Sequence, residues 1–124
     1  KRAENLAQQF SCQTVRWERR HAVNADLIVN GTPIGMHPNV DETPYDKQYL
    51  RQGTVVFDTV YNPEQTLLIK EALQHNCKVI TGVEMFVRQA ARQFYLFTGQ
   101  ESSGELLRDT LKRVTGAVKI QEER

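Results

Sequence analysis

The side chains best suited to chemistry follow a short apolar run at residues 55–57. A carboxylate, Asp58, and a phenol, Tyr61, come directly after this run, and Asn62 and Pro63 then signal a helix start. Short β-branched runs are typical of strands covered on both faces. Because ligands of open α/β proteins bind outside the carboxyl ends of the strands, Tyr61 is predicted to face a ligand. Asp58 could serve as an acid, but strand-end carboxylates more often accept backbone N–H groups, so we interpret it as structural.

Composition narrows the class of protein. The 124 residues suffice for one domain, and 16 basic against 15 acidic residues give a net charge of +1. This balance argues against nucleic acid or an anionic membrane as the main partner. There is no run of about 18 apolar residues and no signal-like N-terminus, so a cytoplasmic protein is expected. Cys12 and Cys77 are interpreted as free buried thiols, and His21, His37 and His75, which share no metal spacing, are expected on the surface.

Periodicity and turn residues predict an α/β domain with a mainly parallel sheet. Four runs are predicted as strands: residues 13–17, 26–30, 54–60 and 78–81. Four segments are predicted as helices: residues 1–10, 62–76, 84–98 and a last helix opening at the capping box of residues 102–105. The helix at 84–98 is predicted to turn one apolar set inward: Phe86, Val87, Ala90, Ala91, Phe94 and Phe97. The sequence contains no Gly-x-Gly-x-x-Gly loop, so a dinucleotide fold here is either incomplete or of another kind.

Three motifs, at residues 30–36, 57–63 and 82–90, resemble those of the shikimate dehydrogenase family. The resemblance covers essentially residues 1–116. Within the family, the sequence most resembles the form fused to 3-dehydroquinate dehydratase, because of the loop at residues 35–44 and the Glu84-Met85-Phe86 helix start. It implies that the chain is the C-terminal portion of a Rossmann-type NADP-binding domain: a partial parallel sheet of the last four strands, with C-terminal helices.

The resemblance also implies a reaction, the reversible NADPH-dependent reduction of 3-dehydroshikimate to shikimate. Tyr61 matches the family tyrosine on the shikimate carboxylate side of the pocket, and Gln89 matches the glutamine that hydrogen-bonds the substrate. The alternative for Tyr61 is a strand-end tyrosine with its hydroxyl in water. The alternative for Gln89 is a solvated helix face that it shares with Gln93.

Four residues are implied as contacts of the cofactor, NADP. Arg2 matches an arginine near the adenosine 2′-phosphate, and Gly82 lies where the backbone approaches the nicotinamide closely. Thr59 stands where the family often has a methionine, which weakens the side-chain contact. Thr32 lies beside the cofactor ribose, and a hydroxyl that stabilises the turn is an equal alternative for it.

The family's catalytic Lys and Asp belong to a substrate domain that this sequence does not contain. We therefore expect the isolated chain to be an inactive fragment with very weak NADP affinity. The strand at residues 26–30 would be left as an open edge, which favours self-association through that edge or a rearranged position of residues 1–20. Two other functions stay open: a non-enzymatic α/β interaction module, and part of a quinate/shikimate dehydrogenase that uses NAD.

Overall fold

The computed structural model describes the backbone of residues 1–122 and the side-chain environments of residues 1–115. Its helices and strands follow one another as α1 (Arg2–Phe10), β1 (Leu27–Asn30), β2 (Val55–Asp58), α2 (Leu67–Gln74), β3 (Lys78–Ile80), α3 (Gly82–Thr98) and α4 (Gly104–Glu122). Two short 3-10 helices, Trp17–Ala22 and Lys47–Tyr49, precede β1 and β2.

The three strands form one parallel sheet in the order β1-β2-β3, with β2 in the centre. The predicted α/β fold with a parallel sheet is thus confirmed. Val56 of β2 is fully buried and packs with Leu68 and Ala72 of α2, because the crossover helix covers one face of the sheet. Asn30 lies opposite Asp58 at the carboxyl ends of β1 and β2.

The prediction of a strand at residues 13–17 is wrong, so the described sheet has three strands and not the four expected. Residues 13–16 have no regular structure, and Trp17 begins a 3-10 helix. In the Rossmann order 3-2-1-4-5-6 the corresponding strand is separated from β1 by two others. Without a neighbour to complete its ladder, an isolated segment gains nothing from extending into a strand.

The edge of the sheet is open at β1, as predicted. Among the described residues β1 pairs only with β2, so its other edge carries unpaired backbone groups. One face of β1 is also uncovered, since Leu27 is 54% exposed and Val29 is 51% exposed. The 3-10 helix Trp17–Ala22 lies near this edge, and its residues line a hollow of about 260 Å³ together with β1. Residues 17–22 therefore lie beside β1 without pairing with it.

The N-cap of helix α2 lies four residues later in the sequence than Asn62, which was the predicted cap. Thr66 caps it instead, since its hydroxyl accepts a hydrogen bond from the backbone N–H of Ile69 at 3.2 Å. The same hydroxyl donates to Asp58 at 2.6 Å, and this buried contact fixes where the helix starts. The end was predicted correctly: Asn76 closes the helix with a left-handed φ of 56°.

Helix α3 begins at Gly82, two residues before the predicted start, with Thr81 as its cap. It ends at Thr98, as predicted, and Gly99 follows in the left-handed conformation with φ of 69°. Its predicted inward face is only half correct. Phe86 is partly buried, whereas Phe94 is 40% exposed and Phe97 is 85% exposed. Only Gly82 and Val83 are fully buried, because the helix leaves the sheet after its first turn and then packs against α4.

The cysteines differ from each other. Cys12 is exposed, not buried as expected, because it follows α1, which has no buried residue. Cys77 is buried, its Sγ donates to the carbonyl oxygen of Arg51 at 3.2 Å, and burial raises the pKa of its thiol.

The three histidines expected on the surface are each partly buried. His21 lies between Tyr49, on which it stacks at 4.4 Å, and Tyr45, which meets it edge-on at 4.6 Å. Its Nε2 accepts a hydrogen bond from the backbone N–H of Asp46 at 3.0 Å. His21 therefore fastens the first 3-10 helix to the loop before β2 in its neutral form.

Acid is expected to loosen this fastening. Burial, and then the adjacent Arg20 charge, lower the pKa of His21, and Asp46 opposes them only in part. The unfolded chain then binds more protons, so the contribution of His21 to stability is fully present above about pH 6.5 and is lost as the pH falls from there to the folded-state pKa. Urea unfolding at pH 7.5 and pH 5 should show the loss, and H21Q should show less of it. If wild type and H21Q depend on pH equally, His21 is not the group responsible.

Candidate functional site

A cavity of about 590 Å³ opens at the carboxyl ends of β1 and β2, where the sequence predicted a ligand site. Its walls come from four parts of the chain: the loop after β1, the loop after β2, α3 and α4. The lining residues are Gly31, Thr32, Pro33, Met36, His37, Thr59, Val60, Tyr61, Asn62, Phe86, Leu111, Val114 and Thr115. The volume lies within the range of about 300–1,000 Å³ found for small-molecule sites.

Asp58 holds together, through hydrogen bonds, the segments of the chain that adjoin this cavity. It is fully buried, and its Oδ1 accepts hydrogen bonds from Asn30 Nδ2 and from the backbone N–H of Val60, both at 3.0 Å. Its Oδ2 accepts from the Thr66 hydroxyl at 2.6 Å. A buried carboxylate is tolerated only with such partners. Asp58 does not line the cavity, so its interpretation as a structural residue agrees with the structure.

Two threonines on the rim are tied to Asn30. Thr32 donates from both its backbone N–H and its hydroxyl to Asn30 Oδ1, at 3.0 and 2.7 Å. Thr59 donates from its hydroxyl to the Asn30 carbonyl oxygen at 2.8 Å. Both side chains reach the cavity, but their donated protons are already used within the protein. For Thr32 this is the turn-stabilising arrangement. Its hydroxyl also accepts a hydrogen bond from the backbone N–H of Ile34 at 3.2 Å, which leaves one lone pair for a ligand.

Tyr61 lies on the cavity wall, as its position after β2 predicted. It is 41% exposed, and its ring lies against Phe86 of α3 with ring centroids 5.1 Å apart. Such aromatic contacts restrict where the ring can turn. The phenol is thus held at the wall by α3 and is accessible to a ligand that carries a carboxylate or hydroxyl group.

Gly82 sets how closely α3 approaches this wall. A Cβ on Gly82 would lie 2.6 Å from the carbonyl oxygen of Thr59 and would overlap that of Val60 even more. Gly82 thus closely approaches the backbone of the loop after β2. Its predicted approach to the nicotinamide stays a prediction. Phe86, one turn further along α3, reaches Tyr61 because of this approach.

Three of the predicted site residues do not line the cavity: Gly82, Gln89 and Arg2. Gln89 is exposed on α3 and is not among the lining residues. Arg2 lies in α1, none of whose residues is buried, and it does not line the cavity either. Their assignments as a substrate contact and a cofactor contact stay predictions.

Sequence reasoning missed several residues of this site. Asn30 had a usable signal, because it ends one predicted strand and Asp58 ends the next, and parallel strands bring such ends side by side. Leu111 and Val114 were recognisable only as the apolar stripe of a helix. His37 had no signal, since a loop sequence does not indicate which side chains turn toward a cavity.

Two further searches bear on the kind of site. Among the described residues, no three His, Cys, Asp or Glu side chains are grouped so that they could hold a metal ion. Within the same part of the chain, no helix is long and apolar enough to cross a membrane.

Known proteins match this chain in sequence and in fold. The family described as "Shikimate 5'-dehydrogenase C-terminal domain" matches residues 82–112. The shikimate dehydrogenase (NADP(+)) of Oleidesulfovibrio alaskensis is 42% identical over 103 residues, which are 81% of this chain and 37% of that protein.

Solved structures give the same picture. Shikimate 5-dehydrogenase from Thermus thermophilus, in complex with NADP(H) and shikimate, matches with a TM-score of 0.77 and 29% identity, over 90% of this chain and 42% of that one. Quinate dehydrogenase from Corynebacterium glutamicum, in complex with NAD, matches with a TM-score of 0.75 and 32% identity, over 88% of this chain and 40% of that one. The chain thus spans about two fifths of the length of the relatives it matches.

Proposed function

We propose a function on the premise that the chain corresponds to the C-terminal part of a shikimate dehydrogenase, as its three motifs predicted. The proposed function is to form one wall of the active site of an enzyme that reduces 3-dehydroshikimate to shikimate with NADPH. The observation that carries it is the cavity at the carboxyl ends of β1 and β2, with Tyr61 held on its wall. This is where α/β folds of this kind bind their ligands.

The cavity suits the nicotinamide end of NADP and a small hydroxy acid. Met36, Tyr61 and Phe86 provide apolar and aromatic surface for a flat ring. Gly31 has open space where a Cβ would stand, so the loop after β1 leaves room for a ligand. The described residues include no Gly-rich phosphate loop, so the pyrophosphate would be bound by another part of the protein.

In this proposal the residues of the chain bind and orient, and they do not transfer the proton to the substrate oxygen. NADPH, when bound, supplies the hydride. Tyr61 donates its hydroxyl proton in a hydrogen bond to the substrate carboxylate, and Gln89 is proposed to contact the substrate after closure by the rest of the enzyme. The described residues that line the cavity include no lysine and no carboxylate. We propose that the acid–base pair implied by the resemblance, a lysine and an aspartate, lies in another part of the enzyme.

A second candidate function has its own support. The match to a quinate dehydrogenase in complex with NAD is about as good as the match to the Thermus enzyme, so quinate as substrate and NAD as cofactor stay alternatives. A fused dehydratase domain, and self-association through the β1 edge, also stay predictions.

The isolated chain gives the first test. We expect no NADP-linked oxidation of shikimate and no micromolar binding of NADP by isothermal titration calorimetry, because the phosphate-binding loop and the acid–base pair are lacking. Circular dichroism of the same sample checks that the chain is folded. Turnover, or a micromolar dissociation constant, would contradict the proposed division of labour.

A further inference from the structure

Helix α4 supplies one wall of the cavity that Tyr61 also lines. Leu111 is 9% exposed and lines the cavity together with Val114 and Thr115. These residues lie on α4, far in sequence from the loops after β1 and β2 that also line the cavity. The size of the cavity therefore depends on where α4 lies.

A single carboxylate ties α4 to the loop that carries Tyr61. Glu64, three residues after Tyr61, pairs through Oε1 with Arg108 Nη1 at 2.8 Å and through Oε2 with Lys112 Nζ at 3.6 Å. Arg108 and Lys112 lie one turn apart on α4, on either side of Leu111 in sequence. Both oxygens of one side chain thus hold the turn of α4 that closes the cavity.

The ion pairs of Glu64 are partly exposed to water, so each of them is weak. The side chains of Glu64 and Arg108 are 31% and 38% exposed, and that of Lys112 is 55% exposed. Pairs so accessible to water contribute little individually and are weakened by salt. Breaking the pairs would loosen the turn of α4 beside the cavity, while the packing of α4 against α3 would remain.

We infer that Glu64 is a positioning residue that holds α4 across the cavity and so sets how tightly the substrate is enclosed against Tyr61. The link to substrate rests on the proposed function, whereas the tie itself does not. Glu64 does not itself line the cavity. It acts through Leu111 and Val114, which limit the space left opposite the phenol.

Hydrogen exchange on the isolated chain tests the tie. In E64Q, the amides of α4 within residues 104–115 should exchange about threefold to tenfold faster than in wild type, while those of α2 are unchanged. The charge swap that combines Glu64→Arg with Arg108→Glu and Lys112→Glu should restore slow exchange, because both partners of Glu64 are then reversed with it. E84Q serves as the matched control, because it removes a similar 2.9 Å pair with Arg88 that lies within α3 alone. Unchanged exchange in E64Q, or equal acceleration in α2 and α4, would overturn the inference.

Kinetics test the consequence for substrate. In an active enzyme that carries this chain, E64Q should raise KM for shikimate about threefold to tenfold with kcat nearly kept, and salt should raise KM in wild type more than in E64Q. Loss of kcat with KM unchanged would contradict a role in enclosing substrate. If such an enzyme is inactive while the exchange result holds, the proposed function fails and the tie stands.

Discussion

Replacing Gly82 with alanine is expected to destabilise the chain by at least about 3 kcal/mol, at the upper end of what overpacking costs. The added Cβ would meet the backbone carbonyl groups of Thr59 and Val60, which cannot turn aside as a flexible side chain can. Either α3 moves away from the loop after β2, or that loop leaves its hydrogen bonds. Urea unfolding followed by circular dichroism measures the loss.

Gly104 offers the matched control for this change. It is also the first residue of a helix, but a Cβ there would lie at an ordinary 3.7 Å from Val87 Cγ1. G104A should be neutral or more stable by about 0.4–1 kcal/mol, because alanine reduces the freedom of the unfolded chain. A G82A protein within about 0.5 kcal/mol of wild type would contradict the close approach, since that is the scatter of neutral surface changes.

Replacing Asp58 with alanine is expected to cost about 3–5 kcal/mol, because each buried donor left without an acceptor costs about 1–3 kcal/mol. Three donors would be left without their acceptor: Asn30 Nδ2, the Val60 N–H and the Thr66 hydroxyl. The end of β1, the wall carrying Tyr61 and the start of α2 would all lose a common anchor. Urea unfolding at pH 7 measures the loss.

Two variants test whether this loss of stability is specific to the Asp58 carboxylate. D58N keeps one carbonyl oxygen as an acceptor and should lose less than D58A. D26A removes an exposed carboxylate at the start of β1 and should change stability by no more than about 0.5 kcal/mol. If D58A proves as stable as D26A, Asp58 is not the anchor of the site.

Much of the fold was predictable because its signals are local. The three strands that form were all recognised from their short apolar runs, and Asn76 and Gly99 marked two helix ends through their tolerance of left-handed backbone. Tyr61 was correctly predicted to line a cavity, because residues that follow a parallel strand lie at the carboxyl edge of the sheet.

The errors occur where distant parts of the chain decide. Residues 13–17 have strand composition but no neighbouring strand to pair with. Asn62 is a good helix cap locally, but Thr66 replaces it because its hydroxyl also reaches Asp58. Phe94 and Phe97 follow the helical period, yet the period does not reveal how long α3 stays on the sheet. The tie between Glu64 and α4 spans 44 residues and leaves no local pattern.

The central claim is that this chain supplies the Tyr61 wall of a shikimate dehydrogenase. Its most direct test is a chimera in which the chain replaces the matching part of the Oleidesulfovibrio alaskensis enzyme, to which it is 42% identical. NADP-linked oxidation of shikimate should persist in the chimera. Tyr61→Phe should lower its kcat/KM for shikimate about tenfold, as expected for one hydrogen bond to a charged group. A folded chimera without activity, or one that Tyr61→Phe leaves unchanged, would contradict the claim.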